Sequence, residues 1–159
     1  VERSKAGGYE PGLCRVRPKN LEAMRLRGGG AGHRSFQIDQ DKAYYEHAGM
    51  AVWKDTIIEI PSISRATLST KGWKMSQVDL IMMHQANLRL IEFLMTRFKM
   101  PMSKTVTTIE EMGNTADASL GTVICKAMDL ELINKPCKVL LLSVGAGFIY
   151  ESGTYEVLP

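Results

Sequence analysis

The chain has 159 residues, 45% of them hydrophobic and 23% charged, with a formal net charge of +3. These are globular proportions for one ordinary domain with its own core, and they exclude general disorder. No apolar run reaches the roughly eighteen residues of a membrane span, and the N-terminus lacks the charged-then-apolar order of a signal peptide, so a cytoplasmic protein with no membrane partner is expected.

The charge is uneven: residues 1–34 hold eight Lys or Arg against three Glu, and residues 35–159 hold twelve basic against fourteen acidic side chains. A basic segment of this kind is either solvated or a docking surface for something acidic. Nucleic acid is not expected, because Tyr9 is the only aromatic among those basic residues and no groove-reading motif occurs. The three cysteines, Cys14, Cys125 and Cys137, have no Cys-x-x-Cys spacing, which argues against a disulfide framework or zinc. Cys14 in an apparent strand and Cys125 on an apparent helix read as buried structural thiols.

In chain order, residues 1–11 read as a linker or frayed end, and Leu13–Arg17 and Glu22–Arg27 as short strands around Pro18-Lys19-Asn20. Residues 28–32 form a glycine-rich turn without a phosphate-binding ending, and His33 and His47 read as ordinary surface or partly buried residues. A short strand is expected over Phe36–Asp39. Asp39 or Asp41 then caps a long helix that reaches Pro61, where it should kink or restart, with its last turns over Ser62–Thr70. Gly49 lies inside this helical pattern, where packing against a neighbour would explain it.

Val78–Met83 is an apolar run suited to a strand buried on both faces. His84 stands at its C-terminal end, the edge where open α/β sheets place their ligand crevices. Asn87 can cap a helix whose Leu90, Ile91, Leu94, Met95 and Phe98 recur at helical spacing. The layout repeats: Lys104–Ile109 is β-prone, Gly113-Asn114-Thr115 turns, and Ala116–Met128 returns as a helix. Cys137–Val144 and Phe148–Val157 then read as two strands joined through Gly145-Ala146-Gly147, with the last one antiparallel. This turn is either a plain hairpin or a place where backbone N–H groups approach a reacting carbonyl. A strand-end histidine is often only a satisfied structural side chain. Paired with a carboxamide, it can also donate to one developing negative oxygen.

His-Gln-Ala-Asn-Leu-Arg at 84–89, Gly-Asn-Thr-Ala-Asp-Ala-Ser at 113–119 and Val-Gly-Ala-Gly-Phe at 144–148 together resemble, in order and spacing, the C-terminal half of the 3-oxoacyl-[acyl-carrier-protein] synthase III enzymes. The resemblance covers residues 12–158 and implies a thiolase-like α/β fold: half of an α-β-α-β-α arrangement, with a mostly parallel sheet, helices on its faces and an antiparallel C-terminal strand. Residues 1–34 would be a linker and first strands continuous with the domain, and residues 35–159 the C-terminal half domain.

The same resemblance implies that His84 and Asn114 assist decarboxylation of a malonyl thioester and its condensation with an acyl group, while the N–H of Ala146 serves an oxyanion. Gly49 and Trp53 match positions lining the pantetheine tunnel, with Ala86, Asn87 and Arg89 also on the substrate side. Met50 replaces a common asparagine there, and Val144 a common phenylalanine. Arg89 and Arg97 match positions facing carrier protein and coenzyme A. No tightly bound cofactor or metal is implied; coenzyme A or phosphopantetheine thioesters are substrates. Acyl carrier protein, acyl-CoA and a dimeric complete protein are the implied associations.

The family's nucleophilic cysteine lies in the N-terminal half, followed by a small residue and a glycine, and none of the three cysteines here has that context. The chain is therefore a fragment, a split subunit whose partner half carries the cysteine, or a protein that kept the fold and lost the chemistry. Two other functions compete with the condensing one: a non-catalytic thiolase-like domain that binds carrier protein or scaffolds a partner, and a non-decarboxylating coenzyme A acyltransferase.

Overall fold

A computed structural model describes residues 7–28 and 42–158. Its frame is β4 (Leu80–Met83), buried at all four positions, which pairs in parallel with β5 (Cys137–Gly145) from Leu80↔Val139 to Met83↔Leu142. A tight turn sends the chain back as β6 (Ile149–Val157), antiparallel to β5. On the far side of β6 lies β1 (Gly8–Val16), again antiparallel to it, with a register shift between Pro11 and Cys14. The sheet order is β1-β6-β5-β4, extended beyond β4 by a single parallel bridge between Ile81 and Thr105. Thus β1, β4, β5 and the Thr105 segment all run one way and β6 alone runs the other, the mostly parallel arrangement expected.

Both faces of this sheet carry helices, as the alternation in β4 requires. Ile81 and Met83 face α1 (Gly49–Thr70) and α2 (Leu88–Phe98), in a cluster with Ile60, Ile63, Ile91 and Leu94. Leu80 and Met82 face the other way, toward Val123 and Ala127 of α4 (Ser119–Asp129). Between α2 and α4 the chain makes a one-turn α3 (Ile109–Met112). A separate two-stranded sheet joins β2 (Met24–Leu26) to β3 (Tyr45–His47). Among the described residues, no helix is long and apolar enough to cross a membrane.

Several local expectations give way to tertiary context. Residues 8–11 are not a frayed end, because they pair with Thr154–Glu156 and Gly153 of β6. The strand expected over Glu22–Arg27 shortens to β2, since a 3-10 turn occupies Pro18–Ala23. The long helix begins only at Gly49: Tyr45–His47 instead forms β3, where backbone pairing with Met24–Leu26 outweighs a continuing apolar stripe. Pro61 is buried within one uninterrupted helix. The strand expected over Lys104–Ile109 contracts to the Thr105 bridge, and after three intervening residues the chain enters α3. Cys14 and Cys125 are exposed and only Cys137 is buried. In α4 the buried positions are Ser119, Val123 and Ala127, one residue in four, so Cys125 falls on the opposite side. The expected strand at 36–39, its aspartate caps, His33 and most of the glycine turn lie outside the described residues.

The basic N-terminal segment is partly neutralised within the fold. Arg15 and Arg17 each reach Glu59 of α1 at 2.7 Å, and Arg25 reaches Glu46 at 2.8 Å, with Arg27 on the same carboxylate. These pairs hold the Glu59 and Glu46 carboxyls below the usual range, through hydrogen bonds from Arg17 and Arg25 respectively. Much of the positive charge is therefore engaged by glutamates of this chain, which weakens the case for an acidic partner there.

The edge strand is also held by close packing. A Cβ on Gly12 would stand 2.5 Å from Cγ2 of Thr67 and 2.7 Å from the Ser152 carbonyl oxygen. The backbone N–H of Leu13 beside it donates to the Thr67 and Ser152 hydroxyls at 3.3 and 3.4 Å. Gly12→Ala is expected to cost about 1–3 kcal/mol through overpacking. Urea denaturation checks this, and an unchanged midpoint would contradict the contact.

Candidate active site

The shared direction of β4, β5 and the Thr105 segment places three loop exits on one edge of the sheet. His84 follows the last residue of β4, and its backbone N–H donates to the Leu142 carbonyl of β5 at 3.0 Å. Ala146 sits in the exposed turn just past Gly145, the end of β5. Asn114 lies on the loop that leaves α3 beyond the Thr105 segment.

The His84 side chain is half-buried, and together with Ser143 and Val144 it lines a narrow cleft that also reaches Thr56 and Leu94. Burial pushes its pKa below the ordinary imidazole value, and the nearby Asp117 carboxylate opposes part of that shift. The imidazole is thus biased toward its neutral form, in which one ring nitrogen donates and the other accepts.

Asn114 is exposed, and its carbonyl Oδ1 accepts from the Ala116 N–H at 2.9 Å. This Asx-type turn leaves the NH2 end of the carboxamide as the end that can donate outward. Around it the backbone takes left-handed values at Gly113 (φ 68) and Ala116 (φ 49). Only the glycine adopts such a value without steric cost.

Gln85 is the polar residue that local sequence patterns passed over. Its side chain is fully buried. The amide Nε2 donates to the Met83 carbonyl at 2.8 Å and to the Val106 carbonyl at 3.5 Å, while Oε1 accepts from the Thr108 N–H at 2.9 Å. One side chain therefore links the His84 exit to the stretch leading toward Asn114. A glutamine two residues past a fully apolar strand was the available signal, because a buried amide needs partners on both ends.

Comparison with known proteins now decides the family. The family described as 3-oxoacyl-[acyl-carrier-protein (ACP)] synthase III, C terminal, matches residues 68–157. The chain belongs to that family. Beta-ketoacyl-[acyl-carrier-protein] synthase III of Koribacter versatilis is 34% identical over 111 residues, which is 70% of this chain and 33% of that protein. Beta-ketoacyl-[acyl-carrier-protein] synthase III 2 of Bacteroides thetaiotaomicron is 28% identical over 145 residues, 90% of this chain and 43% of its own length. In three dimensions, the beta-ketoacyl-[acyl carrier protein] synthase III of Thermus thermophilus superposes with a TM-score of 0.86 at 20% identity, over 99% of this chain and 48% of that one. The chain thus spans about a third to a half of these synthases, and the structural likeness establishes the shared fold.

The remaining positions singled out from the sequence lie on α1, on α2 and in the turn before α2. Asn87 caps α2, its side chain accepting from the Leu90 N–H at 3.3 Å, and Ala86 beside it is half-buried. Arg89 and Arg97 are exposed on α2. Gly49 opens α1, and Trp53 one turn on packs its ring against Phe93 of α2 with centroids 5.9 Å apart. No close packing demands glycine at 49: an added Cβ would meet only the His47 ring, at 3.4 Å. Among the described residues, then, nothing supplies the packing contact expected at Gly49, which is exposed. Among the described residues, no group of three His, Cys, Asp or Glu is placed to hold a metal ion.

The sign of the His84 shift gives a pH test. A histidine whose folded pKa lies below its unfolded value contributes stability that is complete above the unfolded pKa, about 6.5, and declines as pH falls toward the folded value. Titration followed by NMR is expected to place the His84 midpoint below the ordinary imidazole value. A midpoint above that value would contradict the burial described.

Proposed function

We propose that this chain is the C-terminal half of a condensing acyltransferase that joins an acyl group to malonyl-[acyl-carrier-protein] with loss of carbon dioxide. The observation that carries the reading is the common direction of β4, β5 and the Thr105 segment, which sends the chain out to His84, to Ala146 and, by way of α3, toward Asn114. In this reading the neutral His84 imidazole and the Asn114 carboxamide donate to the thioester oxygen of the malonyl group. As the bond to the carboxylate breaks, carbon dioxide leaves and its bonding electron pair moves through the α-carbon onto that oxygen. Two preplaced donors stabilise the resulting enolate. The enolate carbon then attacks an acyl thioester on the cysteine of the N-terminal half, the N–H of Ala146 holds the new oxyanion, and collapse expels the cysteine thiolate.

The missing half has a natural seat on α4. Leu120, Ile124 and Met128 line an apolar groove of about 530 Å³ with Met82, Val139 and Tyr155, and Cys125, Met112 and Leu130 are exposed close by. A helix apolar around most of its circumference is normally covered on both sides. Exposed Arg89, with Arg97 farther along α2, suits the phosphates of carrier protein and coenzyme A. Gly49, Trp53, Ala86 and Asn87 flank the route of the pantetheine arm, whose thioesters are substrates rather than resident cofactors. A dimeric complete enzyme in the cytoplasm, with residues 1–34 continuous with the half domain, belongs to the same proposal.

The experiment is to join this chain to its N-terminal half, covalently or by co-expression, and follow carbon dioxide release from a malonyl thioester. The joined wild-type protein is expected to turn over, and His84→Ala to lose about a hundredfold or more. Unchanged turnover in the variant would reject the catalytic assignment. Acyl transfer without carbon dioxide release would point to a non-decarboxylating acyltransferase instead.

A further inference from the structure

The buried Gln85 amide occupies a gap in the sheet. Parallel pairing between β4 and the next segment occurs at one place, Ile81↔Thr105, where the Thr105 hydroxyl also donates to the Ile81 carbonyl at 2.7 Å. Past that bridge the two backbones separate. The Met83 and Val106 carbonyls and the Thr108 N–H would then lose the partners a continuing ladder supplies, inside a region where unpaired backbone groups are costly. Gln85 supplies those partners from a side chain: two donors on Nε2 for the carbonyls, one acceptor on Oε1 for the N–H.

We propose that Gln85 is a positioning residue that sets the distance between the His84 and Asn114 loops by acting as a side-chain rung between their supporting segments. An amide side chain is a copy of a peptide unit on a short stem, so it bridges a wider gap than a direct backbone pair and fixes both sides at once. From Thr108 the linkage continues to α4, whose Thr122 hydroxyl lies 3.3 Å from the Thr108 hydroxyl and whose Lys126 Nζ donates to the Thr107 carbonyl at 3.0 Å. The Asn114 side is thus held between β4 and α4, and Gln85 is its tie to the strand that carries His84. Catalysis by two donors on one oxygen is sensitive to such spacing, since misplacement by about 1 Å can cost on the order of a hundredfold.

The inference rests on the condensing reading for its effect on rate, but not for its effect on geometry, and two measurements separate them. Gln85→Met keeps the length and volume of the side chain and removes its three hydrogen bonds. In amide and imidazole NMR spectra of this chain, that substitution is expected to shift both His84 and the 113–117 loop and to speed hydrogen exchange at the Thr108 N–H. Changes confined to residues next to 85 would overturn the proposal.

In the chain joined to its N-terminal half, and at a temperature where circular dichroism shows full folding, Gln85→Met is expected to lower kcat about ten- to a hundredfold with little change in KM. Gln85→Glu adds a reading that a merely space-filling role would not give. A protonated carboxyl can donate to Met83 and accept from Thr108 as the amide does, whereas the carboxylate cannot donate. Its kcat relative to wild type at the same pH should therefore recover as pH falls. A ratio that drops as pH falls, or a fully folded Gln85→Met protein with wild-type kcat, would overturn the proposal. Inactive wild-type joined protein with the NMR shifts intact would reject the condensing reading and leave the geometric role standing.

Discussion

The parallel pairing of β4 with β5 is the constraint on which the other features depend. Because Leu80–Met83 run alongside Val139–Leu142 in the same direction, the chain leaves both strands at one edge, with His84 bonded directly to the Leu142 carbonyl there. Reversal of either strand would send His84 and Ala146 to opposite ends of the sheet, and no loop adjustment could reunite them. What permits the pairing is apolar burial on both faces. Ile81 and Met83 go under α1 and α2, and Leu80 and Met82 under α4, so four residues commit two helical layers to fixed sides. The oppositely directed β6 closes this frame and lets β1 join from a distant part of the chain.

Legibility in the sequence follows from how local each determinant is. The second helix could be read end to end, because Asn87 supplies its own cap and Leu90, Ile91, Leu94 and Met95 share one buried side. The strand before it was equally plain as an unbroken apolar run. Residues 45–47 carried a helical pattern but found a distant partner in Met24–Leu26, which no short window can show. At 104–109 the β-prone composition was real, yet the backbone groups that a longer ladder would use are taken by the side chain of Gln85, twenty-one positions from Val106 and twenty-three from Thr108. In α4, three consecutive apolar residues at 123–125 hid the phase of the helix, and Cys125 proved to face outward.

The site was legible only as motifs, and the fold explains why the motifs are spaced as they are. A strand end, a linking segment of about twenty residues and a second loop are what is needed to pass α2 over one face and return beside β4. The sequence pattern alone said nothing of how the gap between the two exits is kept open. It also could not show that α4 bears apolar surface on both sides. Burial that lowers the His84 pKa is likewise a tertiary effect, whereas the bond that turns the Asn114 carboxamide outward spans only two residues.

In the proposed chemistry His84 and Asn114 serve a single oxygen. A double-mutant cycle on decarboxylation, with His84→Ala, Asn114→Ala and the double variant built into the joined enzyme, tests it most directly. Groups that act as a unit are strongly non-additive, so the double variant should be little slower than the slower single variant. Losses that multiply in full would show two independent roles and contradict a shared target.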